Sequence, residues 1–419
     1  MSAAPTTPGG RLGALAEPQF RLLWIGQTAS AAGDALIPVA IAFAVLGIGG
    51  TAGDLGIVFA AFTLAHVALV LAGGVWADRL PRQLVMVVCD VVRGIGEVVL
   101  AILLISGSAQ IWHLAVGAAV IGAASAFFLP ASSGLIPQTI SPGRLQQANA
   151  LMSLSRGATG IFGPPISGLV IAFFGIGTIF LIDAATFAVS AISLLLLRPV
   201  PGEKRDEPQP FVAELAAGWR EVAQRRWILA GIGAFAISNL AASPFFILGA
   251  VIADQKLGGA TAWGIILTGS GIGGLLGSLL ALRVRPKRPL LAGFLLTNAM
   301  ALPMLALVGP LPTLLIAASS LISVASIQLA NTWWFTMLQQ HVPEHARSRV
   351  SSYDWLVSLV FQPLGFMLAG PLAGWIGFEA TLLGAVALSL VANTGVLLVR
   401  AVRDVRWVED SAVLAADPG

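Results

Sequence analysis

The sequence predicts an all-α membrane protein of twelve transmembrane helices in two six-helix halves. Charged residues make up 10% of the 419-residue chain and apolar residues 57%, whereas a soluble domain carries about 25% charge. The mean hydropathy is +0.89. The apolar residues fall into runs of about 20, the length of helix that crosses the hydrocarbon core of a bilayer. Most of this chain is therefore expected to lie in lipid.

Twelve apolar runs, numbered here as predicted spans, are separated by polar turns. They cover residues 22–46, 54–76, 84–106, 111–135, 148–173, 177–197, 227–252, 261–282, 289–308, 312–338, 350–374 and 380–399. The longest interruption splits the spans six and six. The predicted domains are a tail at 1–21, a bundle at 22–197, a linker at 198–226, a bundle at 227–399 and a tail at 400–419.

The linker has two parts. Its first part contains four prolines and is a poor helix. Its second part has Phe211, Leu215, Trp219 and Val222 at helical spacing, which predicts an amphipathic helix on the cytoplasmic face of the membrane. The simpler interpretation, a covalent tether between the halves, is the favoured one.

The basic residues predict the orientation of the chain. The pI is near 9.6, but all of the 23 Lys and Arg except Arg93, Arg156 and Lys256 fall in the termini or in the loops after even-numbered spans. Basic residues favour the cytoplasmic side, so both termini and these loops are expected in the cytoplasm of a multi-pass plasma-membrane protein. No folded domain is long enough for a basic nucleic-acid face.

Several other classes of protein are disfavoured. The segment before the first span lacks the apolar core and cleavage site of a signal peptide. Cys89 is the only cysteine, which excludes an intrachain disulfide. No lysine follows glycine, so the phosphate-binding Gly-Lys-Ser/Thr loop is missing. The sequence has no HExxH metal motif and no clustered histidines, and we expect no cofactor and no metal.

A charged motif lies between the second and third spans. It holds Gly74, Asp78, Arg79 and Arg82 in the spacing Gly-x-x-x-Asp-Arg-x-x-Arg, and such charges beside a bilayer are costly unless they carry a function. The motif resembles the cytoplasmic loop of major facilitator superfamily transporters. The resemblance implies a gate in which Asp78 faces the positive N-terminus of the eleventh span, around 348–350. The alternative is that the two arginines only satisfy the positive-inside rule.

The motif departs from the family pattern in two positions. Pro81 replaces the usual glycine and Gln83 the last base, and because proline fixes φ near −65° the turn should be stiffer. The equivalent loop of the second half has Ala281 where Asp78 would be. The resemblance thus implies a gate formed chiefly by the first half.

Three further segments extend the resemblance over nearly the whole chain, at residues 128–156, 163–168 and 339–355. Together they resemble the efflux branch of the superfamily, which includes enterobactin exporters and macrolide efflux proteins. The segment at 163–168 follows the antiporter pattern Gly-Pro-x-x-Gly-Gly through Gly163, Pro164 and Gly168, with Ser167 in place of one glycine. It is either a hinge that favours one access state or ordinary small-residue packing.

Charged residues inside the spans are candidates for gating and coupling. Asp90 and Arg93 are three residues apart on the third span and can pair, with Glu97 one turn further. Arg156 of the fifth span is a possible partner of Asp90. We interpret this group mainly as a cytoplasmic gate, with substrate contact as the alternative. The fourth span has no Arg or Lys, so the basic residue frequent there in the family is missing.

Two aspartates are the predicted proton-coupling residues. Asp34 is 12 residues from either end of the first span, about 18 Å deep at 1.5 Å per residue. A carboxyl group there can bind and release a proton because its ionised form is disfavoured away from water; the alternative is a hydrogen-bonded structural carboxyl. Asp183 in the sixth span is a second, weaker candidate. His66 is interpreted as a hydrogen-bonded packing residue.

The predicted function is export of an amphipathic small molecule, such as a drug, a macrolide-like antibiotic or a siderophore, in exchange for protons, by a monomer in the bilayer. Weak candidates for the substrate cavity are Asn239, Asn331, Trp334 and Gln362, with packing at least as good an explanation for the tryptophan. Alternatives are an importer or facilitator on the same fold, and a membrane enzyme or sensor without transport.

Overall fold

The computed structural model describes residues 13–198 and 219–408, without the side chains of 71–79, 344, 345, 348, 349 and 352. All regular elements within these ranges are helices, which confirms the predicted all-α class. The α-helices, labelled in chain order, are α1 (Pro18–Asp34), α2 (Ile37–Gly47), α3 (Ala52–Arg79), α4 (Arg82–Ile105), α5 (Ile111–Leu135), α6 (Leu145–Phe174), α7 (Ile176–Leu195), α8 (Arg226–Ile252), α9 (Gly259–Ala281), α10 (Pro289–Thr297), α11 (Ala301–Val308), α12 (Thr313–His341), α13 (Glu344–Val360), α14 (Gln362–Ile376), α15 (Phe378–Gly395) and α16 (Arg400–Arg403).

Each predicted span corresponds to one helix or to two consecutive helices of the structure. In the part of the chain that is described, eleven helical segments are long and apolar enough to cross a membrane. The remaining span corresponds to α4, which has 24 residues but carries four charged side chains. Several spans are interrupted, and the first consists of α1 and α2. Of the predicted linker helix only the part from Trp219 is described, and residues 219–224 are helical.

Two compact units divide the described chain. The first contains residues up to 44 together with 61–198, and the second contains 45–60 together with 219–408. The short segment 45–60 therefore packs with the second unit. There a Cβ added at Gly56 would lie 2.2 Å from the carbonyl oxygen of Phe366, and one added at Gly370 would lie 2.3 Å from the nitrogen of Gly53. Side chains at these glycines would force the backbones apart.

One local conformation recurs at corresponding places in the predicted halves. Gly175 separates α6 from α7 with φ 82° and ψ 163°, and Gly377 separates α14 from α15 with φ 91° and ψ 159°. This region of backbone space is essentially restricted to glycine. The same strained turn between spans five and six and between spans eleven and twelve agrees with a shared plan for the halves.

Small residues permit the closest helix packing in the second unit. Gly269, Gly273 and Gly277 recur every fourth residue on α9 and face backbone carbonyls of α12. A Cβ added at any of the three would lie 2.1 to 2.4 Å from a carbonyl oxygen. In lipid, such close backbone contact replaces the hydrophobic driving force that helices have in water.

Candidate functional site

The first span breaks immediately after Asp34, and this break organises the site. α1 ends at Asp34 and α2 begins at Ile37, because Pro38 lacks the N–H that a continuous helix needs. The Leu36 nitrogen donates to the Gly33 carbonyl at 2.8 Å, a bond that tightens the last turn of α1. Asp34 is thereby placed at a helix end within the span.

Two residues of the predicted antiporter segment on α6 contact this break. Ser167 Oγ donates to the carbonyl of Leu36 at 2.8 Å. A Cβ added at Gly163 would lie 2.5 Å from the Ala35 Cβ, so only glycine allows this approach. Pro164 and Gly168 are buried in the same helix. The segment therefore packs against the break beside Asp34, and its role as a hinge stays a prediction.

The charged residues of α4 form one buried face. Asp90, Arg93 and Glu97 follow the i, i+3, i+7 spacing of a helix face, and their exposures are 1%, 2% and 0%. Arg93 Nη2 donates to Asp90 Oδ1 at 2.5 Å, which confirms the predicted contact. The Arg93 guanidinium also lies between two aromatic rings, 4.3 Å from the centre of Phe128 and 4.2 Å from that of Phe187. Such desolvated cation–π contacts stabilise a buried guanidinium.

Both predicted proton-coupling aspartates adjoin this face. Asp34 Oδ2 lies 3.7 Å from Arg93 Nη1, and its side chain is 48% exposed. Asp183 is 1% exposed and accepts a hydrogen bond from Thr186 Oγ1 at 3.1 Å. A Cβ added at Gly33 would lie 2.0 Å from Asp183 Oδ1. Because glycine has no side chain, α1 can approach α7 closely at this position. The structure thus brings Asp34, Asp183 and the Asp90–Arg93 pair into one cluster.

The cluster has an excess of acidic groups. It contains four carboxyl groups, those of Asp34, Asp90, Glu97 and Asp183, and one guanidinium. Buried oxygens without a hydrogen-bond partner include Asp90 Oδ2, Asp183 Oδ2 and both carboxyl oxygens of Glu97. An uncompensated buried charge costs so much that the group normally takes up a proton instead. Chemically, this arrangement can bind and release protons, and Asp34 is its most exposed member.

The predicted gate residues are dispersed. The side chains of Gly74, Asp78 and Arg79 lie outside the described ones, so their roles stay predictions. Arg82 Nη1 donates to the Gly134 carbonyl near the C-terminus of α5 at 2.8 Å, a favourable place for a cation. Arg156 is exposed on α6. Asp90 is buried and is paired with Arg93, so the predicted contact between Arg156 and Asp90 is not formed among the described residues.

Gln83, which departs from the family pattern, caps another helix. Its Nε2 donates to the carbonyls of Leu194 and Leu197, at 2.7 and 3.2 Å, at the end of α7. Pro81 has φ −56°, near the value that proline imposes. Arg82 and Gln83, which are adjacent at the start of α4, therefore both bond backbone carbonyls at helix ends within the first unit.

The candidate cavity residues lie in the second unit. Asn239 Nδ2 donates to the Ser358 carbonyl at 2.9 Å, and the Gln362 carbonyl accepts from Ser243 Oγ at 3.3 Å. Asn331 is half-buried on α12. Their role in a cavity stays a prediction.

Trp334 is packed inside the second unit. It is 2% exposed, and its ring lies 4.9 Å from that of Phe235 and 5.4 Å from that of Trp227. Its Nε1 donates to Asp354 Oδ2 at 3.2 Å. These contacts favour the packing interpretation for Trp334 over a place in a substrate cavity.

The residues selected from the sequence did not include Phe128, Phe187 and Asp354, which the structure places around Arg93 and Trp334. The aromatic partners Phe128 and Phe187 carry no signal that separates them from other apolar residues of a span. Asp354, 4% exposed, lies within the predicted eleventh span at 350–374, and a carboxyl group inside a span is itself the signal that could have identified it. His66 Nδ1 lies 3.3 Å from the Gly122 carbonyl, in agreement with its interpretation as a packing residue.

Known proteins resemble this chain over most of its length. The model of the Major Facilitator Superfamily matches residues 23–358. The multidrug efflux pump Tap of Mycolicibacterium fortuitum is 28% identical over 388 residues, which cover 89% of this chain and 92% of that protein. YfiS of Bacillus subtilis, named as an uncharacterized MFS-type transporter, is 27% identical over 380 residues, 86% of this chain and 88% of that protein.

Solved transporter structures share the fold. A bacterial homologue of the iron transporter ferroportin, in an inward-facing state, has a TM-score of 0.73 at 17% identity and covers 91% of this chain and 98% of its own. A bacterial homologue of the human lysosomal transporter Spinster has a TM-score of 0.71 at 15% identity, with coverage of 93% and 98%. At these identities the likeness bears on the fold alone, and it confirms the predicted fold.

Proposed function

Because the chain belongs to the major facilitator superfamily, and is thus a multi-pass membrane transporter rather than an enzyme, we propose that it exports amphipathic small molecules in exchange for protons. The observation that carries the proposal is the cluster of four carboxyl groups around Arg93, reached through the half-exposed Asp34. The name of the relative Tap, a multidrug efflux pump, supports export and a drug-like substrate. Macrolide-like antibiotics and siderophores are the more specific alternatives.

The proposed coupling follows from the charge of the cluster. A proton taken up from outside neutralises one of its acidic groups, and release to the cytoplasm restores the negative charge. The carboxylate form favours a substrate with a positive charge, and the protonated form favours its departure. Binding of proton and substrate in turn, at a site that opens to one side and then to the other, is sufficient for antiport.

The proposed orientation has both termini in the cytoplasm of the plasma membrane, because basic residues are retained on that side. Asp78 then lies in a cytoplasmic loop, where its proposed role is that of a gate residue together with Gly74. A reporter fused to each terminus tests this orientation, since activity of a periplasmic reporter at either end contradicts it. The proposed assembly is a monomer, which the mass of the purified protein tests.

Transport in everted membrane vesicles tests the proposal. With an imposed pH gradient, vesicles that contain the wild-type protein should accumulate members of a small drug panel, such as ethidium, and a protonophore should abolish the accumulation. Asp34→Asn should insert and fold but lose the gradient-driven component. Asp404→Asn, a matched change at an exposed aspartate outside the cluster, should behave as wild type.

The outcomes separate the alternatives. Undiminished proton-driven transport by Asp34→Asn would remove this residue from the coupling site. An importer would accumulate the drug in intact cells instead of extruding it. A facilitator would equilibrate the drug without responding to the protonophore, and a sensor would move nothing under the gradient.

A further inference from the structure

We propose that Glu97 and Asp183 form a carboxyl pair that holds one proton between them, and that this proton exchanges with the surroundings through Asp34. The inference rests on the proposed proton antiport and assigns its proton to specific atoms. It concerns Glu97 above all, since this residue is the most completely enclosed of the four acids, at 0% exposure.

The register of two helices places the carboxyl groups together. α4 and α7 are antiparallel, because Arg93 lies over the ring of Phe187 while Ala101, further along α4, lies against Gly177 near the start of α7. Between these two contacts, the residue of α7 at the level of Glu97 is Asp183. In agreement with this register, a Cβ added at Gly94 would lie 3.5 Å from the Cβ of Phe187 and 3.7 Å from the carbonyl oxygen of Ala184.

Within the described part of the chain, the pair has no other partner that would neutralise it. Both oxygens of Glu97 and Oδ2 of Asp183 are buried and accept no hydrogen bond. Thr186 supplies only the bond to Asp183 Oδ1. Three polar atoms without partners at one level of a membrane span indicate a missing ligand.

Among the residues that the structure describes, no free cation faces the pair from the surrounding helices. On α4 the bases are Arg93, which is already engaged by Asp90 and Asp34, and Arg82 in its first position, which is bonded to the Gly134 carbonyl. On α7 the one charged residue is Asp183 itself. α5 offers only His113, in its first turn and bonded to the Gln110 nitrogen, and α1 offers Asp34 and, near its N-terminal end, Arg21.

A proton is the ligand that fits. The pair is enclosed, which leaves no place for a drug-sized molecule, and a metal ion requires more oxygen ligands than two carboxyl groups supply. Two adjacent carboxyl groups cannot both ionise, so they share a proton as an acid and its acceptor. The O–H bond then breaks on one carboxyl group as it forms on the other, and no other reactant is needed.

Asp34 provides the route to this proton. Its side chain is 48% exposed, whereas those of Glu97 and Asp183 are closed off. A Cβ added at its neighbour Gly33 would lie 2.0 Å from Asp183 Oδ1, so the backbone beside Asp34 passes close to Asp183. A proton that arrives at the Asp34 carboxyl group therefore has a short path to Asp183, and the Arg93 guanidinium holds Asp34 in place for the transfer.

Infrared spectroscopy of the purified full-length protein tests the pair without any transport. Wild-type protein in lipid nanodiscs should show the carbonyl stretch of a protonated carboxyl group at neutral pH. Glu97→Gln and Asp183→Asn should each alter the signal, since the remaining acid loses its acidic partner, and the double variant should lose it. Glu379→Gln, a change at an exposed glutamate, should leave the signal unchanged.

Ethidium transport by the same variants then shows whether the pair is the coupling site. The double variant should lose accumulation driven by the pH gradient, to the level of wild type with protonophore, and retain movement down a concentration gradient. Because each amide replaces a carboxyl group of nearly the same shape, the variants are expected to fold. If the double variant elutes as an aggregate, the single variants decide.

Three results would overturn the inference: no protonated-carboxyl signal in wild type, a signal that only one of the two variants alters, or a signal removed by Asp34→Asn but kept in the double variant. Each leaves the proposed antiport standing if wild-type vesicles still accumulate ethidium. Conversely, the infrared signal could confirm the pair while wild-type vesicles transport nothing under the gradient. That result would overturn the proposed antiport and the coupling role of the pair, and the shared proton would stand.

Discussion

Ser167 donates a hydrogen bond of 2.8 Å to the carbonyl of Leu36, and thereby joins α6 to the break in the first span. In the antiporter pattern that this segment resembles, glycine stands at the position of Ser167. The substitution replaces close packing with a directed bond from a fully buried hydroxyl group. The break beside Asp34 is thus positioned by a residue at which the sequence departs from the pattern.

Replacing Ser167 should loosen that break. Ser167→Ala removes the bond and is expected to lower the free energy of unfolding by about 1 kcal/mol, and to reduce gradient-driven drug accumulation more than downhill movement. Thermal unfolding in detergent and vesicle transport measure the two effects. Ser278→Ala, which removes a bond within one exposed helix turn, is the control. Equal effects of both substitutions on coupling would contradict a specific role for Ser167.

Removing Arg93 should destabilise the first unit severely, because Asp90 would keep a buried charge without a partner. Breaking a buried pair from one side costs about 3 to 5 kcal/mol. Arg93→Ala is therefore expected to express poorly or to unfold at a much lower temperature, and Arg93→Ala combined with Asp90→Ala should recover part of the loss. Fluorescence-detected size-exclusion after heating measures this. A double variant that is less stable than the single one would argue against the pair.

Much of the fold was predictable from the sequence because the membrane imposes one simple rule. A run of apolar residues of sufficient length must form a helix in lipid, and all twelve spans agree with helices of the structure. The Asp90–Arg93 pair was predictable for a similar reason, since residues three apart on a helix are neighbours. α4 carries four charged side chains, but its run of apolar residues is still long enough to be recognised as a span.

The convergence of distant residues was beyond sequence reasoning. Asp34 and Asp183 were each expected as single candidates, and nothing in their spacing indicates that Gly33 would bring them together. The rings of Phe128 and Phe187 are likewise ordinary apolar residues until they enclose Arg93. Such contacts depend on helix register and on the packing of small residues, which one sequence leaves open.

Trp334→Phe should distinguish packing from substrate contact in the second unit. Phenylalanine keeps most of the aromatic packing but leaves Asp354 without its indole donor, which is expected to cost about 1 to 3 kcal/mol of stability. If Trp334 only packs, the order of preference within the drug panel should not change. Phe245→Leu, at another buried aromatic residue of this unit, is the control. A changed preference in Trp334→Phe alone would restore Trp334 to the substrate cavity.

Glu17 should make the stability of the first unit depend on pH. Burial by itself would raise the pKa of Glu17, but hydrogen bonds from Ser141 and the charge of Arg144 outweigh it, so the pKa is lowered. The Ser141 nitrogen and hydroxyl group donate to Glu17 at 2.8 and 2.6 Å. A lowered pKa in the folded state means that the contribution to stability is complete above the pKa of the unfolded chain, about 4.3 for glutamate, and is lost as the pH falls through the folded value.

Comparison of Glu17→Gln with wild type checks this contribution. The wild-type protein should have the higher melting temperature at neutral pH. The difference should shrink as the pH falls below about 4.3, where the unfolded chain takes up the proton, and toward the lowered pKa of Glu17 in the folded protein. Glu379→Gln, at an exposed glutamate for which no such bonds exist among the described residues, should show a much smaller difference at any pH. A difference for Glu17→Gln that stays constant down to acidic pH would show that the bonds to Ser141 do not depend on the charge of Glu17.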